Sequence, residues 1–152
     1  MFKRILLPLD GSSLAEQAIT YAVAQTKSFE AELILLRGFE PLRGTSGVSM
    51  AIIERVDGRI NALAREYLEG VAAGIREQDV PVQAVTTQGH PHHEIVRFAE
   101  ANQVDLIVIC TRGHSGFSRW LMGSVADGVI RGASAPVLLV RARKEETQEG
   151  QS

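Results

Sequence analysis

The sequence predicts an α/β fold: a doubly wound, five-stranded parallel sheet of order 3-2-1-4-5 with helices on both faces. Short β-branched or leucine-rich runs alternate with longer segments of helical period, the pattern of a parallel sheet wrapped by crossover helices. Four of the five runs are nearly all apolar, as strands covered on both faces must be; the third alternates, as an edge strand does. A chain of 152 residues suits one core, expected over residues 1–143, with a polar tail at 144–152.

Taken in order, the first strand is expected at Arg4–Leu9. Ser12 or Ser13 then caps a helix running to about Lys27, with Glu16 in a capping-box position relative to Ser13 and an apolar stripe of Ala15, Ala18, Ile19, Ala22 and Val23. The second strand is Glu32–Arg37, and Pro41–Gly47, rich in glycine and small polar residues, reads as a mobile loop. A long helix from about Ser49 to Gln78 carries Ile53, Val56, Ile60, Leu63, Tyr67, Val71 and Ile75 at core-packing spacing. The third strand is Val82–Thr87, followed by a helix from Pro91, suited to a first turn, to Asn102. The fourth strand is Asp105–Cys110, the last helix runs from about Gly123 to Gly132, and the fifth strand is Pro136–Arg141.

Composition excludes several classes. With 45% hydrophobic and 22% charged residues the chain is globular rather than disordered. A net charge of -2 argues against nucleic acid as a partner, because such binding rests on a basic surface. The opening run Ile5–Leu9 is too short for a leader core, and no run approaches the roughly 18 apolar residues of a membrane span, so no membrane association is expected. One cysteine, Cys110, cannot form an internal disulfide; the expected location is the cytoplasm.

In the predicted strand order the chain leaves the first and fourth strands in opposite directions, which opens a crevice at their carboxyl ends where ligands bind. Two segments would line it, Asp10–Ser13 and Thr111–Ser124. The second holds Gly113, Gly116 and Gly123, Arg112 and Arg119, and a helix start, parts that suit an anion: glycine admits close backbone approach, and free amides at a helix N-terminus face outward. The same residues also serve a plain turn and a helix cap. No glycine is followed by lysine and no GxGxxG follows the first strand, so neither a P-loop nor a dinucleotide fingerprint is present.

The segments KRILLPLDGSSLAEQAI, AELILLRGF, GHPHHEIVRFAEANQVDLIVICTRGHSGFSRWLMGSVADGVI and SAPVLLVRAR, spanning Phe2 to Arg143, resemble the universal stress protein family. The resemblance implies a Rossmann-like fold of the adenine nucleotide alpha hydrolase type, and ATP, AMP or another adenine nucleotide as ligand, with or without Mg2+. The nucleotide-binding branch carries glycine, two residues, glycine, nine residues, then glycine and Ser or Thr; Gly113, Gly123 and Ser124 fit, while Cys110 stands at the first glycine. By that resemblance Asp10 and the backbone of Pro8 and Leu9 hold the adenosine end, and the Gly38 backbone meets adenine. Gly113 lies beside the ribose and phosphates, and Gly123, Ser124 and Val125 hold the phosphates. Arg112 and Arg119 join on charge and location alone.

Three functions remain open at this point. One is a nucleotide-dependent stress or signalling module with an unidentified protein partner. Another is a dimeric scaffold that does not bind ATP, a reading that Cys110 makes credible. The last is a slow ATP hydrolase or phosphotransferase, for which His114 is the nearest base; no catalytic residue is assigned. The apolar last strand, Val137 to Val140, at a sheet edge predicts a homodimer, as the resemblance also implies. His90, His92 and His93 lack the distributed ligands of a structural zinc site and are read as part of the turn into the third helix, so no metal is assigned.

Overall fold

The computed structural model describes residues 1–42, 47–111 and 123–143. The elements are β1 (Arg4–Pro8), α1 (Ser13–Glu16), α2 (Ile19–Phe29), β2 (Glu32–Phe39), α3 (Met50–Arg76), β3 (Val82–Gln88), α4 (Pro91–Ala101), β4 (Leu106–Thr111), α5 (Ser124–Gly132) and β5 (Val137–Arg141). The strands form one parallel sheet in the order β3-β2-β1-β4-β5, as the sequence predicts, with the alternating strand β3 at one edge. Most of the Pro41–Gly47 loop, the residues Arg112–Met122 and the tail from Lys144 lie outside the described residues.

Two-sided burial explains why the strand runs are apolar. Ile5, Leu7, Leu33, Leu35 and Val108 face a core shared with α2 and α3, while Leu6, Ile34, Leu36, Ile107 and Ile109 face a second core shared with α4 and α5. The register places Leu6 opposite both Ile34 and Ile107, so neighbouring strands deliver their side chains to the same face. Most of these side chains are wholly buried, each stabilising by roughly 1.5–3 kcal/mol relative to exposure. The starts of β1 and β4 are tied by Asp105, whose Oδ2 accepts from the backbone N–H groups of Lys3 at 2.7 Å and Arg4 at 2.9 Å.

Three details differ from the sequence expectation. The first predicted helix is broken into α1 and α2. Gln17 and Ala18 donate to Leu14 and Ala15 through tight i to i-3 bonds, and the Gln17 side chain exchanges two 2.8 Å hydrogen bonds with the Arg143 backbone. Ser12 is the N-cap, accepting from the Ala15 N–H at 3.1 Å, so Glu16 makes no capping box. It accepts a 2.6 Å hydrogen bond from the Tyr67 hydroxyl instead, pinning α1 to α3. Burial first, and then Glu16, push that hydroxyl well above the usual tyrosine range.

The buried line of α3 also differs: it runs through Ile53, Ala64, Leu68, Ala72 and Ile75, whereas Val56 and Leu63 of the expected stripe are exposed. The alanines are small enough to let the helix lie close to the sheet. Two glycines are required by backbone geometry. Gly11, at φ +87°, turns the chain out of β1, and Gly89, at φ +145°, turns it into α4, where a Cβ would stand 2.6 Å from Glu94 Oε1.

Candidate functional site

At the carboxyl ends of β1, β2 and β4 the chain encloses a cleft of about 390 Å³, within the range of about 300–1,000 Å³ usual for small-molecule sites. It lies where the sheet order reverses direction, at the β1/β4 junction. Pro8, Leu9 and Asp10 leave β1 on one side, Gly38 lies at the end of β2, Cys110 sits near the end of β4, and Gly123, Ser124 and Val125 open α5 opposite. Eight of the ten residues nominated from sequence therefore line one cavity; Arg112 and Gly113, with Arg119 and His114, lie outside the described residues.

Each wall has its own chemistry. Gly123 occupies the N-cap of α5 and has no side chain to cap it, leaving the first amides of the helix, at Ser124, Val125 and Ala126, without an intrahelical acceptor. Those amides and the helix dipole, roughly half a positive charge, make that wall anion-seeking. A Cβ built on Gly123 meets no atom of the described residues within 4 Å. Ser124, read from sequence as a cap or a hydroxyl donor, is exposed at the first helical position and caps nothing.

On the opposite wall Asp10 is exposed, and its Oδ1 accepts the Ser12 N–H at 2.8 Å, which fixes the carboxylate at the rim. The Leu9 N–H donates to the Leu36 carbonyl at 2.9 Å and Pro8 has no N–H, so these residues can offer a ligand only carbonyl oxygens and apolar surface. The Gly38 position would hold a Cβ in ordinary contact with Thr87 and Pro91, leaving the backbone of β2 accessible at the cleft wall. Thr87 Oγ1, 3.4 Å from that point, is buried with no hydrogen-bond partner among the described residues.

Cys110 forms part of the cleft wall without filling it. Its Sγ points to the Thr111 carbonyl at 3.7 Å. Burial, and then the Asp10 charge, push the thiol up, which disfavours the reactive thiolate. The sequence reading missed the apolar part of the lining: Leu14, Ala15, Leu36, Pro91, Ile95, Ile109 and Ala126. Their signal is positional, since each lies at a strand's carboxyl end or a helix's first turns, but nothing in their side-chain chemistry marks them.

The arrangement therefore combines an apolar lining, a rim carboxylate at Asp10 and an anion-seeking helix start at Gly123 in one cleft. Comparison with known proteins bears on the family and the fold. Residues 1–141 match the model of the universal stress protein family. The chain is 34% identical to the universal stress protein MJ0531 of Methanocaldococcus jannaschii over 148 residues, covering 96% of this chain and 86% of the relative. The solved structure of MJ0577, from the same organism, superposes with a TM-score of 0.81 at 29% identity, covering 95% of this chain and 99% of that one. A universal stress protein solved in complex with cAMP shares the fold at a TM-score of 0.73 and 22% identity, covering 93% and 99%.

Proposed function

We propose that this chain, which belongs to the universal stress protein family, holds an adenine nucleotide in the cleft between β1, β4 and the start of α5. The base would lie against the Gly38 backbone, the ribose near Asp10, and the phosphates on the amides of Ser124 to Ala126. One observation carries this reading: an aperture at the sheet's switch point joins an apolar slot, a rim carboxylate and an uncapped helix N-terminus. ATP is the finer assignment, from the Gly113, Gly123 and Ser124 pattern, with any Mg2+ carried on its phosphates. Occupancy then changes which protein partner the chain engages, making it a binding module of the cytoplasm rather than an enzyme. Its dimer forms through the edge of β5, where Leu139 is 41% exposed.

No helix among the described residues is long and apolar enough to cross a membrane. Calorimetric titration of the chain with ATP, ADP, AMP and cAMP tests the reading. Micromolar affinity for at least one of them is expected, and no heat with any would reject it. Cys110, at the first motif glycine, favours a second reading, a dimeric scaffold that leaves the cleft without nucleotide. Absence of binding together with a dimer in sedimentation would select it.

A further inference from the structure

We propose that His90, His92 and His93, at the start of α4, form a binding site for a divalent transition-metal ion of the imidazole-preferring class: zinc, nickel or copper. Their spacing in sequence resembles no structural zinc motif, because all three lie within four residues. The fold adds what the spacing lacks. His90 is the N-cap of α4 in extended geometry, and its ring folds back over the first turn to meet the other two. The ring centroids are 4.3 Å apart for His90 and His92, 4.0 Å for His92 and His93, and 5.2 Å for His90 and His93. One potential ligand nitrogen from each ring lies within 4.8 Å of the others.

The middle ring is held while the outer two are free to adjust. His92 packs on Gly128 of α5, where a Cβ would come 2.5 Å from His92 Cγ, so only glycine there lets the ring occupy its place. His92 Nδ1 is buried without a hydrogen-bond partner among the described residues, a donor atom with no structural use of its own. His90 and His93 are exposed. Bonds of about 2.0–2.1 Å to a tetrahedral ion need nitrogens roughly 3.3–3.5 Å apart, a closure that rotation of the two exposed rings supplies. A donor set of imidazoles without a thiolate selects zinc, nickel or copper over magnesium or calcium.

The dipole of α4 opposes a cation at this end of the helix. Glu40, with Oε1 3.8 Å from His90 Nε2, supplies compensating negative charge. Three protein ligands leave a coordination position open to water or an anion. Pro91, between His90 and His92 in the chain, also lines the cleft, so the metal site and the cleft share a wall. The inference does not depend on what the cleft binds.

The full-length chain is titrated with Zn2+ against a chromophoric chelator, and separately with Cu2+ or Co2+ to read the ligand-field spectrum. One equivalent bound with a dissociation constant of micromolar or below is expected, with spectra of nitrogen ligation. Affinity should fall at least tenfold in His93→Ala and in His90→Ala, both exposed positions where circular dichroism should show the fold unchanged. His92→Ala should also lose the metal, although it removes packing on Gly128 as well. Wild-type binding no tighter than millimolar overturns the proposal, as does affinity that survives His90→Ala with His93→Ala.

Discussion

Single side chains set the local energetics, and Asp105 offers the plainest case. Two backbone N–H groups, from Lys3 and then Arg4, hold its carboxyl below the usual aspartate range. Because the folded value is depressed, the carboxylate stabilises the fold at pH above the unfolded aspartate value of about 3.9, and that contribution disappears as pH falls through the lower folded value. Asp105→Asn should therefore cost about 1 kcal/mol at pH 7, a small figure because the group is only partly buried. Chemical denaturation should show the gap between wild type and variant closing towards pH 2; a gap independent of pH would refute the account. Tyr67→Phe removes the hydroxyl that holds Glu16 and should likewise cost about 1 kcal/mol in the same measurement. An unchanged midpoint would mean that α1 is held otherwise. At Cys110 the thiol should alkylate more slowly at pH 7 in the folded than in the unfolded chain, since partial burial disfavours the thiolate. Rapid labelling of the folded protein, followed by mass spectrometry, would contradict the description of that wall.

At the scale of elements, what the sequence discloses depends on whether a neighbour or a distant contact decides the outcome. The strands were legible because burial on both faces writes apolar runs directly into Ile5–Leu7, Leu33–Leu36 and Leu106–Ile109. Alternation with helices indicated a doubly wound sheet, and its commonest order, with β3 at an edge, is the one observed. The break between α1 and α2 was not legible, since the Gln17 side chain that accompanies it bonds to Arg143, 126 positions away. Nor was the buried line of α3, because a long helix with apolar residues on more than one side is oriented by its smallest ones, Ala64 and Ala72. The cleft was half legible: glycine, aspartate and a helix start announce a polar wall, but the apolar wall is assembled from ordinary core residues. The edge strand β5 carries a prediction of its own. In the proposed dimer, wild type should sediment as a dimer and Leu139→Asp as a monomer with an unchanged far-ultraviolet spectrum; a monomeric wild type, or a dimer that persists in the variant, would contradict the β5 interface.

For the whole molecule, the two cores give the sheet its rigidity, and the cleft lies between them at the one place where helices depart from opposite faces. Asp10 and the first turn of α5 are thus set by the framework rather than by each other. The central claim is that phosphates rest on the amides that follow Gly123. Among the described residues a Cβ at Gly123 would meet no atom within 4 Å, and its φ of -55° suits any residue, so Gly123→Val is directed at an occupant of the cleft. Calorimetry comparing wild type and Gly123→Val with the tightest-binding adenine nucleotide tests this claim most directly. At least a tenfold loss of affinity with unchanged thermal stability of the nucleotide-free protein is the predicted result. Equal affinity in the two proteins would contradict it.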